Sequence, residues 1–213
     1  MKIIVIETAV GYNKTHDGTL ELKGSDEYGL LQNCPRLWLK ADSALLKNKK
    51  PIFIPDFTSE CSASAYLAVR VSRMGKSIPA RFAHRYYDGV CVAVDFTAED
   101  VLRQLQSQGE PWDLAKSFDG SVAIGDFVDL PTEGFSSQQC VEMEINGERL
   151  CHTLIENPAD FVNQAIERLS LIFTIRQGDI LLIGMPDNKP LVKIDDHIAC
   201  LLNGEVVTEC NVK

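Results

Sequence analysis

Two Asn-Gly pairs, Asn146-Gly147 and Asn203-Gly204, each stand between short apolar runs in this 213-residue chain. Both residues of such a pair take positive φ in the tightest hairpin turns, so each pair predicts two strands joined back to back. The same short apolar or alternating pattern recurs at Lys2–Ile6, Leu37–Leu39, Ile52–Ile54, Ala65–Val71, Val90–Val94, Val122–Val128, Val141–Ile145, Ile180–Ile183, Ile198–Leu202 and Val206–Val207. Runs of this length read as strands. Arg73-Met-Gly75 and Gln177-Gly178-Asp179 mark further turns.

Only two segments have helical period. One opens at Thr97, where Thr97 and Asp100 have capping-box spacing, with Ala98, Val101, Leu102 and Leu105 on one face and Gly109-Glu-Pro111 as the stop. The other opens at Asn157-Pro158, an N-cap followed by the helical position that tolerates proline, with Phe161, Ala165 and Ile166 as its stripe. Tyr12 to Leu31 is polar and weakly patterned, which predicts a loop or a lid. The length suits one domain over residues 1–213, β-rich and of α+β class.

Composition narrows the function. A net charge of −9 without a dense Lys/Arg cluster argues against nucleic acid as a partner. The longest apolar runs, such as Ile180-Leu-Leu-Ile183, are far too short to span a bilayer, and the N-terminus reads as a strand, so the expectation is no membrane and a cytoplasmic location. Seven cysteines form no C-x-x-C pair, which predicts buried, reduced thiols and no zinc knuckle. None has a neighbouring motif that marks a nucleophile.

The segment Val92–Val128 holds the chemistry: Asp95 ends a strand, a helix follows, then Ala115-Lys-Ser-Phe-Asp119-Gly and another strand. This order resembles the fumarylacetoacetate hydrolase family. The resemblance implies a mixed β-sandwich roll, a homodimer, and a Mg²⁺ or Mn²⁺ site that works on oxo or diketo acids. A hard cation of this kind needs carboxylates in near-octahedral array, and a Glu-x-Glu on a strand places two on one face. In the resemblance, Leu67-Ala-Val-Arg-Val71 matches the second half of the family's Glu-x-Glu strand, which sets Ser64 and Tyr66 at the two glutamate positions. Asp95 keeps the aspartate position, Glu99 stands where the family usually has arginine, and Ile183-Gly-Met-Pro186 lacks the family loop's hydroxyls.

The resemblance also implies Lys116 and Asp119 as active-site residues, and His16, in Gly11-Tyr-Asn-Lys-Thr-His16, as a base. Read from the residues alone, Asp95 fits the N-terminal side of the Thr97 helix as well as it fits a cavity. Likewise Lys116 and Asp119 fit an ion pair as well as a site. Asp56 and Glu60 lie just before the altered strand and could substitute as ligands, but both fall in a loop-like stretch with no spacing that fixes them on one face, which favours loss of the site. The expectation is a relative with a degenerate metal site, no resident cofactor, and a small oxo-acid or dicarboxylate ligand. The alternative is an active hydrolase, decarboxylase or isomerase of such acids through a rebuilt site, with Mg²⁺ or Mn²⁺ if that site works.

Overall fold

The computed structural model describes residues 1–7, 12–14, 19–22, 36–47, 49–135, 137–184, 186 and 188–213. In chain order its elements are β1 (Ile3–Glu7), β2 (Tyr12–Lys14), β3 (Thr19–Leu22), β4 (Arg36–Lys40), a single 3-10 turn (Asp42–Ala44), β5 (Leu45–Leu46), β6 (Cys61–Val71), α1 (Ala80–Ala83), β7 (Tyr87–Ala98), α2 (Glu99–Gln108), α3 (Asp113–Lys116), β8 (Val122–Ile124), β9 (Val128–Asp129), β10 (Gln139–Ile145), β11 (Glu148–Ile155), α4 (Pro158–Ile172), β12 (Ile180–Gly184), β13 (His197–Leu202) and β14 (Glu205–Asn211). One sheet runs β4-β1-β12-β6-β7-β8-β5, with β9 also on β7, and the second runs β14-β13-β10-β11-β3-β2.

The first sheet must curl. Its end strands β4 and β5 are joined by the short stretch from Lys40 to Leu45, which reaches at most roughly 17 Å extended. Laid flat, the six strand spacings between them would need about 29 Å. The crossing is pinned where Ala41 N–H donates to Ser117 Oγ at 2.8 Å and Gly120 N–H donates to Ser43 O at 3.2 Å.

Period two then sorts the side chains. Ala63, Ala65, Leu67 and Val69 of β6, with Val90, Val92, Val94 and Phe96 of β7, join Val141, Met143, Ile198 and Cys200 of the second sheet in the main core. Phe161, Ala165 and Ile166 of α4 enter the same core, as their spacing predicts. The alternate residues of β6 and β7 face into the curl, with Ile3, Val5, Trp38, Tyr66, Ala93, Val122 and Leu182 as its apolar part. Both Asn-Gly pairs form hairpin turns with positive φ, at 53° and 81° for Asn146-Gly147 and 55° and 83° for Asn203-Gly204. No helix among the described residues is long and apolar enough to cross a membrane.

Several expectations need correction. Thr97 is not a helix cap: it belongs to β7, α2 begins at Glu99, and the Thr97 hydroxyl is taken by Lys116. Ile52–Ile54 makes only an isolated bridge, Ile52 to Val212. Val122–Val128 breaks at Gly125, where a Cβ would come within 1.8 Å of Val207 O, so only a glycine fits between the two sheets. Within the segment predicted as a loop or lid, Tyr12–Lys14 and Thr19–Leu22 are paired strands, and the remainder lies outside the described residues. β2 is the edge strand of that sheet, and β3 joins it to β11.

Candidate functional site

The longest pairing in the molecule, β6 with β7, brings Ser64 opposite Asp95 and Tyr66 opposite Ala93. Ser64, Tyr66 and Asp95 therefore share the face that lines the curl. All three are buried, Asp95 to 1% exposure. Among the described residues no neutral donor reaches its two carboxylate oxygens, and two ammonium groups stand beside them. Lys40, the last residue of β4, makes direct ion-pair contact with Asp95. Lys116 Nζ stands 3.9 Å from the other oxygen.

Lys40 is 3% exposed, and its ammonium has further oxygens around it. It donates to Ser121 Oγ at 3.0 Å, Ser121 O at 3.1 Å and Phe96 O at 3.3 Å. Burial pushes its pKa down, Asp95 opposes that by stabilising the charged form, and neighbouring Lys116 adds to the depression. Sequence reasoning missed Lys40. The available signal was a lysine at the end of the apolar run Leu37-Trp-Leu39, on the same face as Trp38, but nothing local shows that the curl closes over it.

Lys116 ends the short helix α3 and is buried. Its Nζ donates to Thr97 Oγ1 at 2.9 Å and lies 4.3 Å from the Trp38 ring centroid, a cation–π distance. Beside it opens a pocket of about 380 Å³ walled by Leu37, Trp38, Pro111, Trp112 and Lys116, with Glu110 and Asp113 also on its lining. Tyr66 fills the opposite part of the curl. Its ring rests on Gly184, where even a Cβ would come to 3.0 Å of the ring.

The other sequence candidates stand apart from this cluster. Asp119 is exposed, so the structure does not bring it onto Asp95 or Lys116. His16 lies outside the described residues. Glu99 accepts from Ser62 Oγ at 2.6 Å, which turns its charge to the start of α2. Glu60 is engaged by Arg103 at 2.7 Å, and Asp56 is exposed. Cys61, near Lys40 and Asp95, is pushed up to about 12 by burial despite the lysine, and so remains a thiol.

One group of potential ligands lies elsewhere, on the second sheet: Cys140, Glu142 and His152. Its distances, 3.5 Å for Sγ to Nδ1 and 3.2 Å for Nδ1 to Oε1, are those of hydrogen-bonded neighbours. The same Oε1 already accepts from Arg149 at 2.7 Å. A guanidinium there competes with any ion.

Residues 6–213 match the model of the fumarylacetoacetate (FAA) hydrolase C-terminal family. The chain belongs to the fumarylacetoacetate hydrolase family. Among curated proteins it is similar to the mitochondrial oxaloacetate tautomerase FAHD1 of Mus musculus, 29% identical over 84% of this chain and 81% of that one. It is also similar to oxaloacetate tautomerase YcgM of Escherichia coli K12, 25% identical over 82% and 80%. Among solved structures, a family protein from Yersinia pestis CO92 superposes with a TM-score of 0.79 at 26% identity, covering 100% of this chain and 92% of that one. Fumarylpyruvate hydrolase from Pseudomonas aeruginosa, in complex with Mn²⁺ and pyruvate, superposes with a TM-score of 0.82 at 18% identity, covering 100% and 89%. The β-rich roll expected from the resemblance is thus the fold observed.

The residues around Asp95 do not fit a divalent ion. Among the described residues one carboxylate is present where several oxygen ligands are needed, its neighbours on the same face are the uncharged Ser64 and Tyr66, and the carboxylate is already in contact with an ammonium.

Proposed function

We propose that this chain binds a small oxo acid or dicarboxylate in the pocket beside Lys116, without a divalent ion. The observation that supports this reading is Lys116 itself, a buried lysine that lines the same pocket as Trp38 and Trp112. Such a wall offers a carboxylate a charge-assisted hydrogen bond, and a planar conjugated acid two aromatic faces. About 380 Å³ lies in the range of small-ligand sites. The relatives named for oxaloacetate and fumarylpyruvate point to the same class of ligand.

The test uses the chain's own reporters, because its only two tryptophans both line the pocket. Pyruvate, oxaloacetate or fumarate, titrated with EDTA present, is expected to give a saturable change in tryptophan fluorescence. Lys116→Met is expected to abolish it while the circular dichroism spectrum stays unchanged. No saturable change with any of these acids, or a change that requires Mn²⁺, defeats the reading.

A second reading is turnover of such acids through a rebuilt site with Asp95, Lys116 and His16. The closeness of Lys116 to Asp95 at the pocket wall favours it. Enol absorbance of oxaloacetate, followed with and without the protein and with Lys116→Ala, tests it; decay at the uncatalysed rate removes it. We also place the protein in the cytoplasm as a homodimer, with Phe53 and Ile194 among its exposed apolar side chains. Light scattering of the purified chain measures the dimer, and a mass of 23.6 kDa would refute it.

A further inference from the structure

We infer that Cys140, Glu142 and His152, on the second sheet, form a Zn²⁺ site separate from the pocket beside Lys116.

The strands place all three. Cys140 and Glu142 are two residues apart on β10, so both side chains leave the same face of the strand. That face is turned away from the main core, which receives the alternate residues Val141 and Met143. On β11, His152 pairs with Glu142 and presents its ring beside them. β10 is an interior strand, held by β11 on one side and β13 on the other, so backbone pairing fixes these positions. Cys140 N–H is also anchored, donating to Asn203 Oδ1 at 2.8 Å.

The donor atoms converge. Cys140 Sγ lies 3.5 Å from His152 Nδ1, and Glu142 Oε1 lies 3.2 Å from the same nitrogen. Because both contacts use Nδ1, the three groups cannot work as a nucleophile–base–acid relay, which needs one partner on each ring nitrogen. Bonds of about 2.3 Å for Zn–S and about 2.0–2.1 Å for Zn–N and Zn–O, at tetrahedral angles, put S and N about 3.5 Å apart and N and O about 3.3 Å apart. The observed spacings match those two edges, and all three atoms lie within 4.8 Å of one another. Thiolate and imidazole beside one carboxylate suit zinc, whereas Mg²⁺, Ca²⁺ and Mn²⁺ favour oxygen. Three protein ligands leave the fourth position to water.

Arg149 is the competitor, because its Nη1 donates to Glu142 Oε1 at 2.7 Å. Its side chain is 59% exposed against 11% for Glu142, so the guanidinium moves into water at little cost while the carboxylate stays. A turn of the freed carboxylate toward Cys140 then completes the third edge. As the Zn–S bond forms, the thiol proton passes to solvent, since the thiolate is the ligand. The bound ion straps β10 to β11.

The experiment titrates Co²⁺, a spectroscopic stand-in for Zn²⁺, into protein freed of metal with EDTA and then of EDTA. Among the described cysteines Cys140 alone is not buried, so a thiolate-to-cobalt absorption band reports on it. The wild type is expected to develop that band together with the strong visible bands of tetrahedral Co²⁺, and Zn²⁺ is expected to bleach both. Cys140→Ser should abolish the thiolate band. His152→Ala should weaken binding at least about tenfold, no less than loss of an outer-shell partner costs. Arg149→Ala should bind about twofold to fivefold tighter, the worth of the exposed ion pair that no longer competes. A wild type without the thiolate band, or a band that survives Cys140→Ser, overturns the inference. Binding by Arg149→Ala no tighter than wild type removes Glu142 from the ligand set and overturns the site as drawn.

Thermal melts give a second measurement on the same proteins. Zn²⁺ is expected to raise the Tm of the wild type, as a ligand of the folded state does, and to leave that of Cys140→Ser unchanged. A wild-type Tm indifferent to Zn²⁺, or an equal rise in Cys140→Ser, overturns the inference. Either failure leaves the oxo-acid reading standing, because its fluorescence titration is run in EDTA.

Discussion

The ring of Tyr66 lies on Gly184, so close that a Cβ on that glycine would meet Cδ1 at 3.0 Å. The tyrosine fills this part of the curl, and the neighbouring strand makes room by carrying no side chain. Gly184→Ala is expected to cost about 1–3 kcal/mol, the usual cost of overpacking a core. The double variant Tyr66→Leu/Gly184→Ala should lose less than Gly184→Ala alone relative to its own parent, Tyr66→Leu. Denaturant melts of the four proteins check this coupling, and strict additivity would contradict it.

Asp95 and Lys40 are expected to be far more costly to separate than any surface pair. Asp95→Ala leaves a fully buried ammonium without its carboxylate, a loss of roughly 3–5 kcal/mol. For a chain of this size that lowers Tm by about 10 °C. By contrast, Glu60→Ala, which breaks the exposed pair with Arg103, should change stability by less than about 1 kcal/mol. Differential scanning calorimetry of both variants gives the comparison.

Gly125 admits no side chain. Because its Cβ would stand 1.8 Å from a backbone oxygen of β14, no rotamer change relieves the clash. Gly125→Ala is expected to leave little soluble, folded protein, read as loss of the cooperative melt; a normal melt would show that the sheets move apart freely.

Asp100 supplies the pH dependence. Burial is the largest single influence and raises its pKa, but bonds from Thr58 Oγ1 at 2.5 Å, Ser59 N and Oγ, and Val101 N together hold it well below its ordinary 3.8. A carboxyl depressed in the folded state adds stability above its unfolded pKa, and that contribution is lost as pH falls from 3.8 through the folded value. Asp100→Asn should therefore cost about 1 kcal/mol at pH 7, the usual worth of a helix-end acceptor. The gap to wild type should shrink below pH 3.8. Melts from neutral to acid pH measure it, and a constant gap would refute it.

The sequence alone determined most of the central strands, both Asn-Gly hairpins, the α4 stripe, the family, and the identities of Ser64, Tyr66 and Asp95 on one strand face or its neighbour. These follow from local rules: positive φ at a turn, periods of two and 3.6, and one-residue spacing on a strand. The tertiary structure decided the rest of the site. Lys40 lies 55 positions from Asp95 in the chain, and only the closure of the curl brings its ammonium to that carboxylate. Closure also turned Thr97 from an expected helix cap into a partner of Lys116 and left Asp119 in solvent. Spacing along a strand reports which face a residue takes, whereas the charge it meets there depends on which distant strand end the sheet folds over it.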